Sequence, residues 1–507
     1  MTDVSAPDER LLDAFQLHKA GRLDEAAVLY RAILDEDPDQ VDALRLLASA
    51  ERSRGDLAQA LTLYARALRL APEESDIWYN LGNALGAAGR KPDALEAYKR
   101  AAQLAPDNAA CHANIGVTEA DLDNIPAAIL AYRHTLSLDP DNRIALHNLG
   151  NALGELGEMD EALALLSKAL ALYPGSAEAH YNLGINLLRC GDYANGFAQY
   201  EWRWQADGFP GEARHTDIAD WDGRPFEGKR LLVHAEQGLG DTIQFVKLLP
   251  LAKSLAKSFG GEVILQVPDK LVALLQHVPG ADAVQAADPA PGTMDFQVPL
   301  LGLPHRLLLT PGSVPRKTSY LVARPELVAH WRERLALRDG EKAIGFVWRG
   351  NPLSPAERGR SLSGPEQLAP FAALAQTRLI ALQKLDESVL EKADTPSGYK
   401  VAGLDFTLEH PGPDFDAGAD AFLDTAAVLV QLSAFVSVCT APLHLAGALG
   451  VPTIGLLKKV PDWRWGLQGA TSPWYPSMRL CRQREAGDFS GPITEAVSLA
   501  EAITNKS

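Results

Sequence analysis

Two rhythms of apolar and polar residues divide the chain. Through residue 207 the apolar positions keep helical spacing, and the pattern recurs every 34 residues. Gly21, Gly55, Gly89, Gly157 and Gly191 mark that grid, with Asp123 in the missing place. Ala26, Ala60, Ala94, Ala128 and Ala162 keep it, and Gly196 follows. So do Tyr30, Tyr64, Tyr98, Tyr132 and Tyr200, with Leu166 in the gap, and Pro38, Pro72, Pro106, Pro140 and Pro174. Each unit reads as two antiparallel helices. The small residue allows close contact, the aromatic fills the gap to the next helix, and proline ends the second helix. About six units are expected, the first and last less regular.

After a linker at 208–228 the rhythm changes to short apolar runs alternating with helical stretches, the pattern of parallel sheets with helices on both faces. "RLLVH", "EVILQV" and "MDFQVPL" are expected as strands of a first lobe, 229–324. "DTIQFVKLLPLAKSLAKSF" and "DKLVALLQHV" are its expected helices. "PELVAHWRERLAL" falls in a connection, 325–340. A second lobe, 341–507, is expected to take strands from "KAIGFVWRG", "TRLIALQ", "YKVAGL", "AFVSVCT" and "VPTIGLL". The expected architecture is α + α/β: a helical superhelix followed by two Rossmann-like lobes. Ligands in such lobes lie at the carboxyl ends of strands, where Gln237–Asp241, Arg349–Asn351, Gln383–Lys384 and Thr440–His444 fall.

Composition narrows the partners. The 507 residues carry 48 basic and 65 acidic side chains, a net charge of −17 that disfavours a nucleic-acid surface. The acidic N-terminus has no hydrophobic core, so no signal peptide is read. No apolar run approaches the ~20 residues of a membrane span. Cys111, Cys190, Cys439 and Cys481 lack metal or disulfide spacing, and a cytoplasmic location is expected.

The 34-residue pattern resembles the tetratricopeptide repeat (TPR). Asn80, Asn114, Asn148 and Asn182 share the grid, in the first helix of each pair. In that family this helix lines the concave surface. A carboxamide column there suits an extended peptide backbone, as in the asparagine ladder of eukaryotic protein O-GlcNAc transferase. Asn83 and Asn151 would widen it. The plainer reading is that these amides bond neighbouring helices. The aromatic and Arg cluster Tyr200, Trp202, Arg203 and Trp204 reads as the packed end of the repeats.

"HAEQGLGDTIQFVKLLPLA", "GFVWRGNP", "DTAAVLVQLSAFVSVCTAPLHLAGALGVPT" and "VPDWRW…SPWYPSMRL" resemble the tandem lobes of bacterial TPR-containing GT-B glycosyltransferases, relatives of the heptosyltransferases. The layout is similar to that of TPR-bearing flagellin glycosyltransferases. The resemblance implies a metal-independent, inverting transferase. Its donor would be a CMP- or UDP-linked sugar such as a nonulosonic acid. Its acceptor would be Ser or Thr of a protein such as flagellin, held by the repeats. It implies no cofactor and no metal site. Asp241 matches the proposed general base; Glu236 is the runner-up in the same turn and His234 a weaker one. An Asp at a helix start also serves as a cap. Thr440 and His444 match the phosphate end of the donor site, beside Pro442 in the first helical turn. Cys439 stands where the family has Asp. Arg349, Asn351, Arg360, Gln383 and Lys384 complete the nucleotide-sugar set, and Asp462, Trp463 and Arg464 fall near the cleft, with Trp463 and Trp465 read as packing between the lobes. Two other readings stay open: a TPR adaptor with a degenerate transferase half, for which Cys439 speaks, and a glycan or lipid transferase.

Overall fold

The computed structural model describes residues 9–207, 209, 211–226, 228–257, 260–353 and 357–505. The acidic N-terminal stretch, residues 1–8, lies outside them. Contacts divide the chain into two units that part between Ala179 and His180.

The first unit is a stack of helical pairs: α1 (Glu9–Lys19) and α2 (Leu23–Glu36), α3 (Val41–Arg54) and α4 (Leu57–Leu70), α5 (Ser75–Ala87) and α6 (Lys91–Leu104), α7 (Ala109–Asp121) and α8 (Ile125–Leu138), α9 (Arg143–Leu156) and α10 (Met159–Leu172). The grid residues have the expected jobs. Ala26, Ala60, Ala94, Ala128 and Ala162 are fully buried, as are Tyr30 and Tyr64. The glycine of the grid adopts a left-handed backbone after the first helix of a pair, with φ +90° at Gly55; Asp123 takes φ +70° in the same place. A second grid of glycines, inside the first helices, receives the aromatic of the following helix. A Cβ on Gly116 would sit 2.4 Å from Tyr132 Cε1, and one on Gly82 2.5 Å from Tyr98 Cε1.

The sixth pair, α11 (Ala177–Arg189) and α12 (Tyr193–Tyr200), lies in the second unit from His180 onward. This pair keeps the 34-residue pattern and also packs into the α/β part. Phe197 and Tyr193 meet Trp463 and Trp474 edge-on and stacked, at 5.5 and 5.9 Å between ring centroids.

The first lobe contains β1 (Arg230–His234), α13 (Leu239–Phe245), α14 (Leu249–Lys257), β2 (Glu262–Gln266), α15 (Asp269–Leu275), β3 (Ala283–Gln285), β4 (Phe296–Pro299) and α16 (Leu303–Arg306). Its sheet is wholly parallel, in the order β3-β2-β1-β4. The single helix expected over 241–259 is two helices joined by a 3-10 turn at Val246–Leu248. Pro250 has no N–H to return to Val246, so the α-helical ladder breaks there. Residues 258 and 259 of that expected helix lie outside the described residues.

Helix α17 (Pro325–Arg334) leads to the second lobe: β5 (Lys342–Val347), β6 (Thr377–Ala381), β7 (Leu390–Lys392), β8 (Tyr399–Val401), α18 (Leu423–Leu429), β9 (Ala434–Val438), α19 (Ala441–Leu449), β10 (Thr453–Leu457), β11 (Met478–Arg482) and α20 (Ser490–Thr504). The main sheet is parallel, ordered β11-β10-β9-β5-β6. "YKVAGL" does not enter it: β8 pairs antiparallel with β7 in a separate ribbon. The fifth strand is β11, from "MRLCR". Numbered along the chain, these five strands run 2-1-3-4-5, and the order reverses between β5 and β9. Crevices form at such switch points.

Candidate active site between the lobes

The sequence "EQGLGD" turns the chain from β1 into α13. Gly238 caps the helix with an extended backbone, and its N–H donates to Asp241 Oδ2 at 2.9 Å. The other carboxylate oxygen, Oδ1, accepts from Arg464 Nη2 at 2.5 Å. Arg464 stands in a 3-10 turn at Trp463–Trp465 and also donates to Asp462 Oδ1 at 2.9 Å. Desolvation raises the pKa of Asp241, and the Arg464 charge opposes that rise. Asp241 is thus cap, ion-pair partner and, with its side chain 21% exposed, a group a ligand can still reach.

Glu236 is placed differently. Its side chain is 1% exposed against a fully buried Arg203, with Arg203 Nη2 donating to Oε2 at 2.8 Å. Oε1 is buried without a partner among the described residues. Burial raises the carboxyl's pKa, against the pull of Arg203. This runner-up base is enclosed in a buried ion pair that ties the end of α12 to the turn after β1. His234 is enclosed too: Nε2 pairs with Gln297 Oε1 at 2.9 Å, and burial pushes its pKa down to about 4. Gln297 also takes up Asp220 of the linker, so polar side chains occupy the β1/β4 switch. Beside it, a pocket of about 590 Å³ opens among Gly211, Arg214, Glu236, Gln237, Gln266 and Asp269.

The second lobe meets this turn through α19. A Cβ on Gly240 would lie 3.0 Å from His444 Cδ2 and 3.4 Å from Ala441 Cα, so the glycine lets the helices touch. His444 is 5% exposed; its Nδ1 lies 2.9 Å from the Tyr475 hydroxyl, and its ring stacks on Trp465 at 5.1 Å. Burial, reinforced by Arg464, drives its pKa down to about 3, so the imidazole is neutral. The Thr440 hydroxyl turns back to Ser437 Oγ, at 3.0 Å, rather than capping α19. Pro442 has no N–H, and the Leu443 N–H bonds Thr440 O at 3.1 Å. The backbone here therefore offers an anion few donors. Trp465 Nε1 donates to Cys439 Sγ at 3.1 Å, and burial raises that thiol to about 11.

Across the β5/β9 switch, Arg349 is exposed and its backbone N–H donates to Gln383 Oε1 at 3.0 Å. Gln383, expected in the nucleotide-sugar set, thus spends its Oε1 on shaping the loop after β5. Arg360 Nε donates to Glu357 Oε2 at 2.7 Å, and its charge also bears on Cys439 and His444. Asn351 caps its own turn through the Leu353 N–H, and Lys384 donates to Asp416 O at 3.3 Å. Around the seam, then, are Asp241, Arg464, His444 and Cys439, with Arg360 in electrostatic reach; Glu236 borders the first-lobe pocket with its carboxylate committed to Arg203. Glu357 and Tyr475 carry no local signal that marks them.

In the repeats, Asn114 Nδ2 donates to Asn83 Oδ1 at 3.1 Å and to the Tyr79 hydroxyl at 3.3 Å, bonding neighbouring helices as the plainer reading has it. Asn80 bonds Asp76 O of its own helix. The half-buried Asn148 bonds no other described residue through its side chain. Asn182 is half-buried on α11, in the second unit. Among the described residues no helix is long and apolar enough to cross a membrane.

Comparison with known proteins matches five overlapping stretches, 17–75, 46–109, 79–143, 114–177 and 147–208, to the tetratricopeptide repeat family. A curated relative, Protein FlbA of Caulobacter vibrioides, is 27% identical over 312 residues, 58% of this chain and 50% of that protein. The chain thus spans half the length of the curated relative it matches. Among solved structures, TTC0263, a thermophilic TPR protein of Thermus thermophilus, is 26% identical with a TM-score of 0.31, covering 36% of this chain and all of that one. MamA is 25% identical, with a TM-score of 0.30 over 34% of this chain and 96% of its own. YrrB, described as a TPR protein with an unusual peptide-binding site, is 20% identical, with a TM-score of 0.31 over 34% of this chain and 89% of its own. Residues 17–208 are therefore tetratricopeptide repeats, and an α/β part with two parallel sheets follows them.

Proposed function

We propose that the chain is a protein O-glycosyltransferase whose α/β part has the GT-B architecture. It would move a sugar from a CMP- or UDP-linked donor, such as a nonulosonic acid, onto Ser or Thr of a bacterial protein, with flagellin the first acceptor to test. One observation carries the reading: the Gly238–Asp241 turn of one parallel α/β lobe abuts α19 beside the switch point of the other. Asp241 takes the proton of the acceptor hydroxyl as that oxygen attacks the anomeric carbon. The nucleotide phosphate leaves from the opposite face, so configuration inverts. Each carboxylate oxygen keeps a lone pair beyond those given to Gly238 and Arg464. Arg349 and Arg360 suit the departing phosphate without a metal. The repeats would hold the acceptor through Asn148 and its neighbours, in the cytoplasm.

Cys439 favours a second reading, an adaptor without activity: a thiol kept protonated by burial replaces the family carboxylate. Incubation with flagellin and candidate nucleotide sugars, read by intact mass, separates the two. Asp241→Asn is expected to lower kcat by about 10²–10⁴-fold; full transfer by this variant would remove Asp241 as base. No mass gain with any donor, together with no nucleotide binding by calorimetry, leaves the adaptor.

A further inference from the structure

The "SPWYP" stretch at 472–476 has no role in the chemistry above, yet its tyrosine is hydrogen-bonded to the His444 ring. Tyr475 is fully buried, with its ring against α19 where Gly447 has no side chain; a Cβ there would sit 2.4 Å from Tyr475 Cδ1. This close approach brings the hydroxyl to 2.9 Å from Nδ1 of His444, one helical turn earlier. Trp465 holds the imidazole from its face, 23° from parallel. The opposite edge, Cδ2 and therefore the adjoining Nε2, faces the Gly240–Asp241 turn of the first lobe. Nε2 bonds no described residue. The neighbouring Tyr320 has committed its own hydroxyl proton to Ile243 O at 2.9 Å.

A neutral imidazole donates from one nitrogen and accepts at the other, and the partner of the first decides what the second offers. A phenol can give its single proton to an imidazole nitrogen or accept from an N–H there, and the Tyr320 hydroxyl, its own proton on Ile243 O, is a second acceptor beside Tyr475. We propose that Tyr475 is a positioning residue: its hydroxyl donates to Nδ1 and holds His444 as the Nε2–H tautomer, with that N–H presented at the seam as a donor for a phosphate oxygen of the nucleotide sugar. The inference rests on the transferase reading for the identity of that oxygen. No proton changes owner at His444. The ring supplies an oriented donor whose hydrogen bond strengthens as negative charge gathers on the leaving oxygen. Burial keeps the imidazole neutral and leaves it that single role at ordinary pH.

The test is long-range nitrogen–proton NMR on full-length protein with ¹⁵N-labelled histidine, the His444 signals assigned by their loss in His444→Gln. Wild type is expected to show only the Nε2–H tautomer at this ring, and Tyr475→Phe a mixture of both. Added UDP or CMP should shift Nε2 in wild type. In the transfer assay, Tyr475→Phe should lower kcat about 10-fold with the acceptor KM unchanged. An Nδ1–H tautomer in wild type, or an unchanged tautomer in the Phe variant, overturns the assignment. If Tyr475→Phe does not fold, the wild-type tautomer alone decides it. Absence of transfer in both proteins defeats the transferase reading and the phosphate role; the Tyr475–His444 pairing is still judged by the tautomer.

Discussion

Lys247, in the 3-10 turn between α13 and α14, is a cation with no anion against it among the described residues. It is 3% exposed, its Nζ donates to Trp474 O, and the rings of Tyr320 and Tyr475 flank it at 5.5 and 5.6 Å. Neither tyrosine is ionised, since burial raises both hydroxyls, and His444 behind Tyr475 is neutral. Desolvation therefore lowers the amine from its ordinary 10.5 to about 8. At about 1.4 kcal/mol per pH unit, that fall corresponds to roughly 3 kcal/mol. The sign follows from proton binding: between pH 8 and 10.5 the unfolded chain holds the proton and the folded chain does not, so stability rises with pH across that window. Below about pH 8 the charged amine is a burden in the fold. Lys247→Met keeps the length and removes the charge, while leaving Trp474 O unpaired at a cost of about 1 kcal/mol. At pH 7 the variant should be the more stable by about 2 kcal/mol. Its advantage should vanish by about pH 10.5. Urea unfolding of both proteins, followed by tryptophan fluorescence from about pH 7 to 10.5, measures the difference. Parallel stability profiles over that range would refute the reasoning, because a group titrating normally contributes no slope to the difference.

Gly116→Ala drives a Cβ to within 2.4 Å of the Tyr132 ring and should cost about 1–3 kcal/mol, read as a lower helical unfolding midpoint by circular dichroism. Arg203→Met strands the buried Glu236 carboxylate and should destabilise by about 3–5 kcal/mol, most of it recovered by adding Glu236→Leu; a double-mutant cycle in urea checks this. Asn148→Ala should weaken binding of an acceptor peptide, by fluorescence anisotropy, with little change in stability. Asn114→Ala should instead lower stability by about 1 kcal/mol, because its amide is spent on Asn83 and Tyr79.

What could be read in advance depended on how near the interacting residues lie in the chain. The repeats announce themselves because nearly every unit buries the same alanine and tyrosine against its neighbour, and alternation marks seven of the nine strands in the two parallel sheets but neither β3 nor β11. The second glycine grid, at Gly82, Gly116 and Gly150, was equally open to reading in "NLG", "NIG" and "NLG". Strand membership was harder: three residues at β8 look like any apolar run, and only pairing sends them to a ribbon. The site was harder still. Asp241 and Arg464 are 223 positions apart, and Arg203 and Glu236 are 33 apart on different elements. No local pattern reports such pairs. The aromatic–arginine cluster after α12 reads as simple packing until a buried carboxylate is found against it.

That pair also decides where the molecule can be cut. A chimera exchanging the repeats at residue 207, where the periodicity ends, would import a foreign sixth pair. Glu236 would then lose its arginine, and Trp463 and Trp474 their aromatic neighbours. A junction at Ala179–His180 leaves those contacts whole and makes the preceding five pairs the exchangeable cassette. The piece that can be exchanged whole is therefore shorter than the repeat array that the periodicity marks.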